Sequence, residues 1–167
     1  MKPILDGCTI AVSLQTHTAI FMEVGIHYEN RYELFQFLIS DYGFQVTKEL
    51  HRPQMAGSFM VVLTGAPFML LYTYDRGFFD VEISSHSDKD SVYSLSYIED
   101  LIYNPEKINA REVTSNAERL TGTNKFLKQD FDKIVGLMDE KHYPDTKQKL
   151  DEGLRKQFFL RNPGARG

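Results

Sequence analysis

The sequence predicts an α+β fold: a four-stranded antiparallel meander with one N-terminal helix and about three C-terminal helices packed on it. Three observations carry this. Apolar residues recur at three and four residues in one stretch, alternate or run together over four short stretches, and then return to three-and-four spacing. The links between the four middle stretches are a few residues long, and links that short join only antiparallel neighbours. No repeat, low-complexity tract or linker divides the 167 residues, a length that suits one domain.

The first element is a helix over 27–42. Tyr28, Tyr32, Phe35, Leu38, Ile39 and Tyr42 fall on one of its faces, and Gly43 stands where a helix end favours a left-handed residue. Strands follow at Phe44 to Leu50, Ser58 to Thr64, Phe68 to Tyr74 and Phe78 to Ser84. The first alternates through Phe44, Val46, Lys48 and Leu50, which reads as one face. The second and third are nearly continuous apolar runs, as in central strands, turned by Gly65-Ala66-Pro67. After Asp75-Arg76-Gly77, Phe79, Val81 and Ile83 alternate with Asp80, Glu82 and Ser84, one face buried and one wet. Leu95, Ile98, Leu101 and Ile102 form a helical stripe stopped by Pro105. Residues 107–123 read as irregular, with a turn of helix near Ala117 to Leu120. Asn124 is placed to cap an amphipathic helix carrying Phe126, Leu127, Phe131, Ile134, Val135 and Met138. A last helix after Tyr143-Pro144 sets Leu150, Leu154 and Phe158 at four-residue spacing. Phe35, Leu38, Val61, Leu63, Leu70, Val81, Ile83, Leu101, Phe131 and Ile134 are the expected core.

Composition excludes several classes. Hydrophobic residues at 42% and charged residues at 25% rule out wholesale disorder, collagen and a membrane-spanning bundle. The single cysteine, Cys8, rules out an intramolecular disulfide framework and a Cys-rich zinc ribbon. A net charge of -4 does not recruit nucleic acid. The uncharged stretch from Gly7 to Met22 is interrupted by Gln15, Thr16, His17 and Thr18, too polar for a bilayer span and without a signal cleavage site. A cytoplasmic protein is expected, in line with the lone cysteine and the lack of an Asn-x-Ser/Thr sequon. Residues 1–25 form the expected N-terminal extension, either an accessory strand pair or a loosely attached segment. Residues 26–160 are the domain and 161–167 a flexible tail.

No Gly-rich phosphate cradle follows a strand, and no G-x-S-x-G elbow occurs. The five histidines, His17, His27, His51, His86 and His142, are dispersed. Asp88, Asp90 and Glu99 match positions 1, 3 and 12 of a calcium loop, but Val92 and Tyr93 stand where an oxygen ligand and a glycine are needed. No metal and no cofactor is expected. Asp80 and Glu82 share one strand face about 7 Å apart, the spacing of an acid/base pair and equally of a solvated face.

Charge distribution is the positive signal. From Asp75 to Glu106 the acids Asp75, Asp80, Glu82, Asp88, Asp90, Glu99, Asp100 and Glu106 face few cations, with Phe78, Tyr93, Tyr97 and Tyr103 interleaved. Acids steer a cationic partner, and tyrosines give rigid, half-polar contact area. The expected partner-binding set is Asp75, Asp80, Glu82, Asp88, Asp90, Tyr93 and Tyr97. The partner is a basic protein, with nucleic acid and membrane excluded. Basic residues on the last helix, Lys147, Lys149, Arg155, Lys156 and Arg161, read as a solvated face. The alternative is an enzyme or small-ligand binder with a pocket between sheet and helices, lined by some of the 12 Phe and 9 Tyr.

The segments Tyr32-Glu33-Leu34-Phe35-Gln36-Phe37-Leu38 and Asp41-Tyr42-Gly43-Phe44, the meander ending Tyr74-Asp75-Arg76-Gly77-Phe78, and Leu101-Ile102-Tyr103-Asn104-Pro105 carry a resemblance. The chain resembles uncharacterised small bacterial α+β proteins over about residues 26–160, in the style of immunity proteins of polymorphic-toxin systems. That resemblance implies a non-enzymatic module that binds and blocks a partner toxin, and it assigns no functional residue.

Overall fold

The computed structural model describes residues 29, 31–55, 57–106 and 115–162. The expected extension lies outside them, as does the helical start at His27 and Tyr28. The described elements run α1 (Arg31–Tyr42), β1 (Gln45–Arg52), β2 (Ser58–Gly65), β3 (Phe68–Asp75), β4 (Phe78–Ser85), β5 (Asp88–Ser94), α2 (Leu95–Tyr103), α3 (Asn116–Met138) and α4 (Tyr143–Arg161). The fold is α+β, with helices and an antiparallel sheet in the order β1-β2-β3-β4-β5.

The sheet has five strands where four were expected. The fifth, Asp88-Lys89-Asp90-Ser91-Val92-Tyr93-Ser94, is an edge strand that buries Tyr93 alone. It pairs with β4 through Glu82↔Ser94, Ile83↔Tyr93 and Ser85↔Asp88. Because β5 ends opposite Glu82, the start of β4 has no strand on that side among the described residues. Side chains of α3 take its place: the Asn116 Oδ1 accepts from the Phe79 N–H at 3.0 Å, and Arg119 donates to the Phe79 carbonyl at 3.0 Å. Backbone groups that lack a ladder partner need such substitutes.

At the β3–β4 turn, Arg76 and Gly77 both have positive φ, at 50° and 87°. A two-residue hairpin of this hand matches the right-handed twist of its strands, and glycine is the residue that adopts it without strain. Gly43, at φ 70°, ends α1 and sends the chain into β1.

One face of the sheet carries the core. Phe59, Val61, Leu63, Phe68, Leu70, Tyr72, Phe79, Val81, Ile83 and Tyr93 are all buried there, packed with Leu34, Phe35 and Leu38 of α1, Ile98 of α2, Leu127 and Ile134 of α3 and Leu150 of α4. Of the ten expected core residues, eight are buried. Leu101 and Phe131 are half-buried against that cluster, and the Phe131 ring stacks on Tyr42 at 3.7 Å.

α3 begins eight residues before the expected cap. Ser115 accepts from the Glu118 N–H while Glu118 reaches back to the Ser115 N–H, a reciprocal capping pair. Asn124 is therefore inside the helix, and its side chain donates to the Leu34 carbonyl of α1 at 3.0 Å. The helix kinks at Asp130, whose φ of -118° is not helical. Phe158, expected to continue the α4 stripe after Leu150 and Leu154, is 56% exposed.

Candidate functional site

The bulge in β1 decides which residues share the sheet's other face. Pairing with β2 shifts between Val46 and Lys48, so Val46 stands opposite Leu63 and Lys48 opposite Val62. The extra residue, Thr47, bonds Thr64 through its hydroxyl at 2.8 Å. A bulge reverses the alternation beyond it. Lys48, Leu50 and Arg52 consequently leave the face of Val46 on which simple alternation placed Lys48 and Leu50. Glu49 turns to the helix side instead, where Arg31 and Tyr32 of α1 hold its carboxylate at 2.8 and 2.6 Å.

The outer face thus reads in rows across the sheet. One row is Lys48, Val62, Leu71, Glu82 and Ser94; the next is Leu50, Met60, Thr73 and Asp80. None of Leu50, Met60, Val62, Met69 and Leu71 belongs to the core cluster or packs against it. Leu50 is 38% exposed, and Phe78 and Val92, which alternation places on the same face, are 66% and 46% exposed. At the end of this face lies a hollow of about 170 Å³, bordered by Leu50, Arg52, Ser58, Met60, Thr73 and Asp75.

The seven residues predicted to bind a partner do not form one patch. Asp80 and Glu82 lie side by side on the outer face of β4. Among the described residues neither has an ion pair; Asp80 accepts from the Val81 N–H at 2.9 Å and from Ser94 at 3.5 Å. Burial and then the neighbouring Asp80 hold the Glu82 carboxyl above the usual glutamate range. Asp75 is exposed at the hairpin end and accepts from Ser58 at 2.7 Å. Asp90 is exposed on β5. Asp88 is already neutralised by Lys147 of α4 at 2.6 Å. Tyr93 points into the helix layer, 5% exposed, and donates to Asp151 at 2.7 Å. Tyr97 packs against the core. The outward members are thus Asp75, Asp80 and Glu82, with Asp90 exposed in the irregular stretch of β5. Sequence reasoning missed Lys48, Arg52 and the apolar middle of the face. The available signal was that β2 and β3 carry apolar residues on both alternations, Met60, Val62, Met69 and Leu71 as well as Val61, Leu63 and Leu70, in a sheet whose described helices cover one side.

The chemistry available elsewhere is limited. Lys147 contacts Ser91 as well as Asp88, the composition of a Ser–Lys pair. The hydrogen bond to Asp88 raises the Lys147 pKa, so its ammonium stays protonated and cannot take a proton from Ser91. Asp130, 4% exposed, joins Tyr103 of α2 to Lys133, whose ammonium is 2.6 Å away; both contacts lower its pKa, that of Lys133 more. This cluster ties the α3 kink to α2. The space between sheet and helices is filled by Phe35, Phe44, Phe68, Tyr72 and Phe79, each at most 1% exposed. Among the described residues, no group of three His, Cys, Asp or Glu side chains stands close enough to hold a metal ion, and no helix is long and apolar enough to cross a membrane. Asp88 and Asp90 lie in β5 and Glu99 in α2, a strand and a helix in place of a calcium loop.

No family model, no curated protein and no solved structure matches the chain.

Proposed function

We propose that the protein is a non-enzymatic protein-binding module, an immunity-type inhibitor in style, which holds a basic partner protein against the outer face of its sheet. The observation that supports this reading is the Asp80–Glu82 pair. Two carboxylates stand on an apolar sheet face, and among the described residues neither makes an ion pair. Like charges placed together raise the free energy of the isolated protein, and a cationic partner relieves it. Leu71, Met60 and Val62 beside them supply the apolar contact that charge alone does not give.

The test compares two baits in a lysate pull-down: the unaltered chain and the Asp80→Asn/Glu82→Gln double variant. The expected result is a basic protein recovered by the first and lost by the second. Its association slows as salt rises, because the screening length falls from about 10 Å at 0.1 M to about 3 Å at 1 M. Equal recovery of the same proteins by both baits contradicts the reading.

A further inference from the structure

The outer face carries its own complement. Its cations, Lys48 and Arg52, lie on β1 with Leu50, and its acids Asp80 and Glu82, without an ion pair among the described residues, lie on β4, with Met60, Val62, Leu71 and Thr73 of β2 and β3 between them. Lys48 and Glu82 belong to the same row, three strand spacings or about 14 Å apart, too far to pair within one chain. Neither Lys48 nor Arg52 has an ion pair among the described residues; the Arg52 guanidinium donates to the Met55 sulfur at 4.0 Å.

We infer that in the absence of another partner a second copy of this chain docks on this face, sheet against sheet, about a two-fold axis parallel to the strands and lying between β2 and β3. This rests on the binding-face reading only in using the same surface. The axis carries β1 of one copy over β4 of the other and keeps each row in register. Lys48 meets Glu82 of the second copy, Val62 meets its Leu71, and the same contacts recur by symmetry. The alternative two-fold, perpendicular to the strands, sets the cations of one copy over those of the other and the acids over the acids, so charge selects the first. Face-to-face sheets pack about 10 Å apart, within reach of a lysine and a glutamate extended toward each other.

Area sets the size class of the contact. Four strands of eight residues give a footprint of about 26 by 19 Å, or about 500 Å² per copy and about 1,000 Å² in total. That is at the lower limit for a specific interface, the size of a weak contact that leaves the face open to competition by a basic partner.

The experiment is sedimentation equilibrium of the full chain from about 1 µM to about 1 mM, in reducing buffer so that Cys8 cannot cross-link copies. No other protein is present, so its failure leaves the partner-binding reading standing, and failure of the pull-down leaves the dimer standing. The expected result is a monomer–dimer equilibrium weakened at least about tenfold by Lys48→Glu or by Glu82→Lys. The variant carrying both reversals regains the dimer, because the charges have exchanged ends. The two single variants, mixed, form a heterodimer although each alone is largely monomeric, which excludes misfolding as the cause. A monomer at every concentration overturns the inference and assigns the face to a different protein or to a segment outside the described residues. A dimer indifferent to both single reversals, or a mixture that stays monomeric, overturns it as well.

Discussion

Glu82 sits beside Asp80 on a half-buried strand face, and both burial and that neighbour raise its pKa. A carboxyl whose folded pKa lies above its unfolded value destabilises the fold when ionised. The penalty is absent below the ordinary glutamate value of about 4.3 and complete once pH exceeds the folded value. Glu82→Gln therefore raises the melting midpoint at pH 7 in dilute protein, and the difference closes in acid; a thermal scan across pH in which the variant melts lower at pH 7 contradicts this. Asp130 has the opposite sign. The bonds from Lys133 and Tyr103 depress its pKa, so its contribution is present above about 3.9 and fades as pH falls through the folded value. Asp130→Asn lowers the midpoint at pH 7, and the gap narrows toward acid; a gap that does not depend on pH contradicts the assignment. At this scale the sequence showed the Asp80–Glu82 pair, because strand alternation alone places it opposite Val81 and Ile83. It did not show where Lys48 points. That depends on one extra residue in β1, and Thr47 has no feature that marks it as the bulge. Tyr93 misled for a related reason: a tyrosine among Asp, Lys and Ser looks like a surface ring, yet in an edge strand it is the one side chain that turns inward to the core.

The elements differ in how far local chemistry determined them. The hairpin at Arg76-Gly77 and the ends of β2, β3 and β4 follow from turn residues and periodicity, and the structure keeps them within a residue or so. β5 was hidden because Asp, Lys and Ser are poor strand formers, and what holds the strand is its partner β4 and not its own composition. In α3, Asn124 looked like the helix cap, whereas the Ser115–Glu118 pair marks the true start. Asn124 is kept inside the helix by its bond to Leu34, a contact across ninety residues that local sequence cannot report. Ser115→Ala removes the cap and lowers stability by about 1 kcal/mol in chemical denaturation; an unchanged midpoint contradicts the capping role. Gly65 is set by packing. A Cβ there stands 2.6 Å from the Phe44 ring, which itself lies against Phe68 at 5.3 Å between centroids. Gly65→Ala destabilises by about 1–3 kcal/mol because a buried ring has little room to move, and a variant as stable as the parent contradicts the close approach.

For the whole molecule, the main feature is that the described helices contribute to the core on only one side of the sheet. Reading β2 and β3 as nearly continuous apolar runs located the middle of the sheet but did not separate its two faces. The structure separates those faces: Leu63, Leu70 and Tyr72 are fully buried, while Val62, Leu71 and Thr73 between them are only partly so. An apolar outer face with cations at one border and acids at the other is the basis of both the proposed partner site and the proposed dimer. Its openness is measured most directly by two adjacent substitutions in β3, Leu70→Ala and Leu71→Ala, compared by chemical denaturation at a concentration low enough to keep copies apart. The expected loss is about 2–5 kcal/mol for Leu70→Ala, which leaves a cavity in the core, and less than about 1 kcal/mol for Leu71→Ala, which faces outward. Equal losses at the two positions would show that the outer face is covered within the single chain, and would contradict the account.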